Sequence, residues 1–389
     1  MKNTIITLSV IAVLSMVFIG SCRRDEEIRQ AQPMQEPLVI NLKWNRAYNS
    51  ESPQQAETGL QWCFSFLGAM LPPSTYKEGL EWKSQNTIRI NIEKLGFNAA
   101  AKNAFAILIP QLKASEEYVK TGAIDIGRFV MLTLNASNHY YKITGAEKNY
   151  PAFNAQFTYD SIQVAIVESS VSKGERLIRL PKGNLAALWG FTAAEGSGSL
   201  KDGSFTAQEH EVISIMPNGQ LRFAVYNEQH TLVPGANSMH TDAGKPAKCL
   251  WCHEIVIQRS FSAVTSLPGY YPIDTFAAIV KRKMALLDQY RNTLSSVVDF
   301  TKRQDHTQTE LLYSSFMEPS AERLANEWGI SIAAVKAKLS GLNTHLHQEF
   351  LFLGDLYYRK DVEVFAPFKS IRTPGSAREV TGDEPDLIR

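Results

Sequence analysis

The chain is poor in cysteine, with four among 389 residues, too few to staple a fold of this length. It has no surplus of either charge: 40 Lys and Arg stand against 39 Asp and Glu, a net of +1. With no basic excess to neutralise a phosphate backbone, nucleic acid is not an expected partner. No internal repeat or low-complexity block interrupts the sequence. No phosphate-binding glycine pattern, Ser–His–Asp set or paired-carboxylate arrangement stands out by spacing. What is there, 44% hydrophobic and 20% charged, suits a chain that buries a core, and the length suits about two domains.

The N-terminus sets the compartment. Lys2 precedes an almost unbroken apolar run from Ile5 to Ile19, then come Gly20, Ser21 and Cys22, the three-part layout of a secretory signal peptide. The run is shorter than the roughly 20 residues that span a bilayer, so it reads as a removed segment. Ile19-Gly20-Ser21-Cys22 resembles the lipobox of bacterial lipoproteins. That resemblance implies cleavage before Cys22 and acylation of its thiol, which anchors a protein to a membrane without a spanning helix. The alternative is a plain signal peptide with an incidental cysteine. Arg23-Arg24-Asp25-Glu26-Glu27 is similar to the surface-export tag of some Gram-negative lipoproteins, and equally reads as a solvated tether. The expected location is the outer membrane, on its periplasmic side or at the cell surface.

An α+β fold is expected, with a β-rich mixed domain followed by an all-α one. Leader (1–21), tether (22–36), an α+β domain (37–235), a helical domain (236–368) and a flexible tail (369–389) are the expected divisions. Leu38–Leu42 and Thr87–Ile92 read as strands, and Thr58–Leu71 as a buried helix stopped by Pro72-Pro73. Val130–Leu134, Tyr140–Ile143, Gln163–Val167 and Arg176–Leu180 read as short β-rich runs. Val212–Met216 and Gln220–Tyr226 flank Pro217-Asn218-Gly219 as a hairpin, because Asn and Gly tolerate positive φ. A helix from Asp274 to about Phe300 follows from three-and-four spacing of Phe276, Ile279, Val280, Met284 and Leu287. Further helices are expected near Thr309–Phe316, from Ser320, and from Ser331 to about Leu353. Ser320–Leu339 has the look of a helix-turn-helix, and in a charge-neutral exported chain reads as a plain αα-hairpin.

One motif carries chemistry: Cys249-Leu250-Trp251-Cys252-His253. On one helical turn its two thiols can add to the two vinyl groups on one porphyrin edge, and the adjacent His can offer Nε2 to iron. Chance gives this pattern in roughly one in a thousand chains of such composition. It resembles the haem-attachment motif of c-type cytochromes, over five firm residues and at most about 236–350. The resemblance implies one covalent haem c, with Cys249 and Cys252 as thioether sites and His253 as proximal ligand. It also implies a distal Met some tens of residues downstream, where Met317 in Phe316-Met317-Glu318-Pro319 stands. Met284, on the apolar face of its helix, reads as core packing. An open iron position is the alternative to Met317.

Electron transfer to an unidentified redox protein is thus the first expectation. A haem oxidoreductase with an open iron site is the second. An envelope binding lipoprotein is the third, its Cys pair structural as a disulfide or as zinc ligands with His253 and His240.

Overall fold

The computed structural model describes residues 38–257 and 267–389. The expected leader, the tether and Cys22 lie outside the described residues. The class is α+β, with two sheets and short to medium helices.

The first sheet follows from alternation. In β1 (Val39–Lys43) and β3 (Thr87–Asn91) every second side chain is buried, and the strands pair antiparallel with Ile40 opposite Ile90 and Leu42 opposite Ile88. β2 (Leu80–Trp82) adds to β3, and β4 (Ile124–Asp125) runs parallel to β1. Helix α1 (Pro53–Phe66) starts at a Ser52–Gln55 capping box with proline in its first turn, where the missing N–H costs nothing. α2 (Ala99–Lys113) is capped by Asn98.

Residues 126–144 differ from expectation. The runs read as strands at Val130–Leu134 and Tyr140–Ile143 are helical: α3 (Ile126–Val130) passes into a π-helical turn at Met131–Asn135, and α4 (Ser137–Thr144) follows. Every residue from Ile126 to Leu134 is buried. An apolar run buried on all sides has no periodicity to separate a strand from a core helix.

The second sheet is antiparallel, its strands in chain order: β5 (Val164–Ile166), β6 (Arg176–Arg179), β7 (Gly190–Ser197), β8 (Thr206–Ile215) and β9 (Leu221–Asn227). The expected β8–β9 hairpin is present. Gly219 takes φ +79°, and the Asn218 amide donates to the carbonyls of Ser65 (2.7 Å) and Ala69 (2.9 Å) at the end of α1. The turn therefore locks the sheet to the helical layer.

Beyond the sheet come α5 (Pro246–His253), α6 (Ile273–Arg291), α7 (Thr307–Met317), α8 (Ala321–Trp328) and α9 (Ile332–Lys338). α8 and α9 form a helical hairpin turned at Gly329, whose φ is +68°. The helix expected from Ser331 to Leu353 stops at Lys338. α5 packs on β9 and α7 on α1, and one hydrophobic core holds residues from both sides of position 235. Leu38–Arg389 form a single unit by backbone contacts. The segment expected as a loose tail packs within this unit. The Leu387 N–H donates to His139 Nε2 at 2.7 Å, Ile388 is buried, and Glu384 pairs with Lys245 at 3.0 Å. No described helix is long and apolar enough to cross a membrane.

Candidate functional site

Helix α5 is short and held at both ends. Pro246 opens it, and Lys245 just before is fully buried, its ammonium donating to Glu384 (3.0 Å) and to the Ser376 carbonyl (2.8 Å). At the other end Glu254 (φ 44°) and Ile255 (φ 65°) both take left-handed backbone. For a β-branched residue that is a strained conformation, of the kind retained where surrounding structure over-determines it. Here the Arg291 guanidinium supplies the constraint, donating to the Ile255 carbonyl at 2.7 Å.

The turn has a consequence for the imidazole. It brings the Val256 carbonyl back to 3.2 Å from His253 Nδ1. Nδ1 carrying the proton toward that carbonyl leaves Nε2 as the lone-pair nitrogen, the tautomer that an Nε2 ligand needs. Burial pushes the His253 pKa down to about 4, partly opposed by that backbone contact, so the ring is neutral at pH 7. Burial also pushes the Cys249 thiol well up, helped by the nearby Glu211 charge, and raises Cys252. The two thiols are therefore protonated at neutral pH.

Cys249 and His253, four residues apart on one helix face, border a cavity of about 110 Å³ over the second sheet. Its walls are mostly apolar: Ile178 of β6, Phe191 of β7, Ile213 of β8, Phe223 and Val225 of β9, and Phe276 and Val280 of α6. The His253 and Phe223 rings lie 5.3 Å apart. Two charged side chains, Arg176 and Glu211, also reach it.

The sites expected from sequence divide clearly. Cys249 and His253 meet at the cavity, with Cys252 on the same turn. Met317 does not line it. α7 meets α5 on its other side, where Tyr313 and Thr309 share a crevice with Leu250 and Trp251, and the Arg378 guanidinium sits 4.0 Å over the Trp251 ring. Met284 of α6 touches the cavity wall from behind, its sulfur accepting from the backbone N–H of the cavity-lining Ile257 at 3.0 Å. Cys63 is a buried core thiol, as expected. The zinc alternative finds no support: among the described residues the one group of three or more His, Cys, Asp or Glu side chains with converging ligand atoms is Glu195, Glu209 and Glu211.

That trio and Arg176 went unnoticed in the sequence. Glu209-His210-Glu211 did carry a signal, because the two acids alternate in phase with Ile213 and Ile215 and so share a strand face with apolar residues. Arg176 and Glu195 join them only through strand pairing, Arg176 opposite Glu195 and Glu195 opposite Glu209.

The donor set suits a covalent haem: two thiols and an imidazole on one turn, the correct tautomer held by a carbonyl, and apolar walls. The enclosed space is smaller than the roughly 300–1,000 Å³ of sites that surround a cofactor. Full enclosure of a macrocycle therefore requires this cavity to widen. Comparisons with protein-family models, with curated proteins and with solved structures gave no match to this chain.

Proposed function

We propose that this protein is an exported, lipid-anchored c-type cytochrome of the cell envelope, carrying one covalent haem on α5 and passing electrons to a partner protein. The observation that carries the reading is Cys249 and His253 bordering an apolar cavity, with Cys252 on the same turn and His253 Nδ1 engaged by the Val256 carbonyl. Cys249 and Cys252 would hold the group by thioether bonds and His253 Nε2 would ligate its iron; bound, it supplies a one-electron Fe(III)/Fe(II) couple. The chain's own part is to present a neutral imidazole at a fixed angle, to exclude water with Phe223, Phe191 and Ile213, and to hold α5 from both ends. Cys22 would provide the membrane anchor through its acyl chains.

A second reading, small-ligand or peroxide chemistry at an open iron, is favoured by one observation. The described residues lining the cavity include no His or Met besides His253. Carbon monoxide separates the two: a shift in the reduced spectrum marks an open or weakly held sixth position, and no shift marks a six-coordinate carrier.

The test of the common premise is a haem stain of the denatured band, made in a host that can mature c-type cytochromes. The stain is expected in the native chain and absent from the Cys249→Ser/Cys252→Ser variant. A His253→Ala variant should keep residual stain and lose its native spectrum. A stain-negative native chain from a competent host overturns the haem reading.

A further inference from the structure

The buried carboxylates of the second sheet fit a divalent cation. Glu195 and Glu209 are 1% and 2% exposed, and the side chain of Glu211 is 16% exposed. One ligand oxygen from each lies within 4.8 Å of the other two. Among the described residues one cation faces them: Arg176 contacts Glu195 and donates to Glu211 at 2.9 Å. Three carboxylates against one guanidinium leave a formal charge of −2 in a place where an uncompensated ion is costly.

The oxygens themselves point the same way. Glu195 Oε2, Glu209 Oε1 and Glu211 Oε1 are buried and accept no hydrogen bond. Glu209 uses its other oxygen to accept from the Asn237 N–H at 2.8 Å. Buried carboxylate oxygens normally find donors, and three converging carboxylates that each keep an unsatisfied buried oxygen offer what a hard cation needs. The surroundings narrow the choice. Buried carboxylates converging from two strands suit Ca²⁺, which takes carboxylate oxygens at about 2.3–2.6 Å in flexible geometry, whereas Mg²⁺ keeps several waters and is seldom held by an all-protein cage. Without a cation, burial raises the Glu209 pKa to about 7, so a proton is the competing occupant.

We propose that Glu195, Glu209 and Glu211 bind one Ca²⁺ on the inner face of the second sheet, beside Arg176 and the α5 cavity. The ion brings the local charge to zero and cross-links β7 to β8. The proposal does not depend on haem, because none of the three residues belongs to the attachment motif.

The test is a Ca²⁺ titration of chelator-treated full-length protein by calorimetry and by thermal unfolding at pH 7.5, on the native chain and on Cys249→Ala/Cys252→Ala. Expected are one Ca²⁺ per chain, a higher Tm in both proteins, and binding at least tenfold tighter than for Mg²⁺. Glu195→Gln/Glu209→Gln removes two charges without changing shape. It should fold as well as the native chain without Ca²⁺, and lose the response by at least tenfold. If that variant does not fold, the native titration decides alone. No Ca²⁺ response in the native chain between pH 6 and 8 overturns the proposal and leaves a proton as the occupant, as does an undiminished response in a folded double variant. Tighter binding of Mg²⁺ than of Ca²⁺ overturns the ion's identity.

Discussion

Two clusters of buried charge sit in this molecule, and they are built differently. Around Phe316, three arginines face four acids. Arg323 holds Asp125 at 2.8 and 2.9 Å and Glu327 at 2.6 Å, Arg359 holds Glu327 at 2.7 and 2.9 Å, and Arg128 holds Glu117 at 2.7 Å and Glu363 at 2.6 Å. All three guanidinium groups lie 4.0–5.5 Å from the Phe316 ring. On the second sheet, three acids share Arg176 alone among the described residues. The first cluster gives every carboxylate an arginine and joins β4, α3, α8 and residues 359–363. In the second, Glu209 has no arginine, and three oxygens lie idle beside a cavity. Buried carboxylates that each hold an arginine tie elements together, whereas a buried carboxylate without one is where the proposed ion would sit.

The largest effect should come from breaking the fully paired cluster. Arg323→Ala leaves Asp125 without an arginine in the core and Glu327 with Arg359 alone, and should cost about 3–5 kcal/mol in denaturant unfolding. A loss below about 1 kcal/mol would erase the contrast between the clusters.

The next effect is pH-dependent. Burial holds both Glu209 and Glu117 at about 7 in the folded chain, against 4.5 for an ordinary Glu. The folded state therefore favours their protonated forms. The stability each contributes is fully present below pH 4.5 and is lost as pH rises through about 7. Glu209→Gln should raise stability at pH 8 by about 1 kcal/mol and flatten part of that slope. Saturating Ca²⁺ should flatten the same part, while the part due to Glu117 stays. Loss of both parts on adding Ca²⁺ would show that the clusters are not independent.

Smaller still is Arg378→Ala, which removes the contact with Trp251 and the pair with Glu349 and should cost about 1 kcal/mol. At the bottom, Lys102→Ala breaks an exposed pair with Glu93 and should change stability by less than about 0.5 kcal/mol.

How far the sequence could be read follows from the range of each interaction. β1, β3, the Asn218-Gly219 hairpin and the start of α6 rest on local alternation, turn chemistry and three-and-four spacing, and all were legible. The Cys249–His253 motif stood out because its five residues are contiguous. Residues 126–144 were not, since uniform burial erases periodicity. The end of α9 at Lys338 was missed because apolar positions beyond it suggested continuation past Gly341. Met317 rested on its distance downstream of His253 and on the nearby Pro319, and neither says which face of α5 a helix will meet. The carboxylate trio was hidden for a related reason: strand register joins Arg176, Glu195 and Glu209, and no local pattern encodes register.

The central claim concerns α5, and one measurement reaches it most directly: the mass of the proteolytic peptide containing Cys249 and Cys252, from mature protein made in a host competent for haem attachment. The account predicts that this peptide carries one macrocycle on two thioether bonds. The same peptide recovered with unmodified thiols would contradict it.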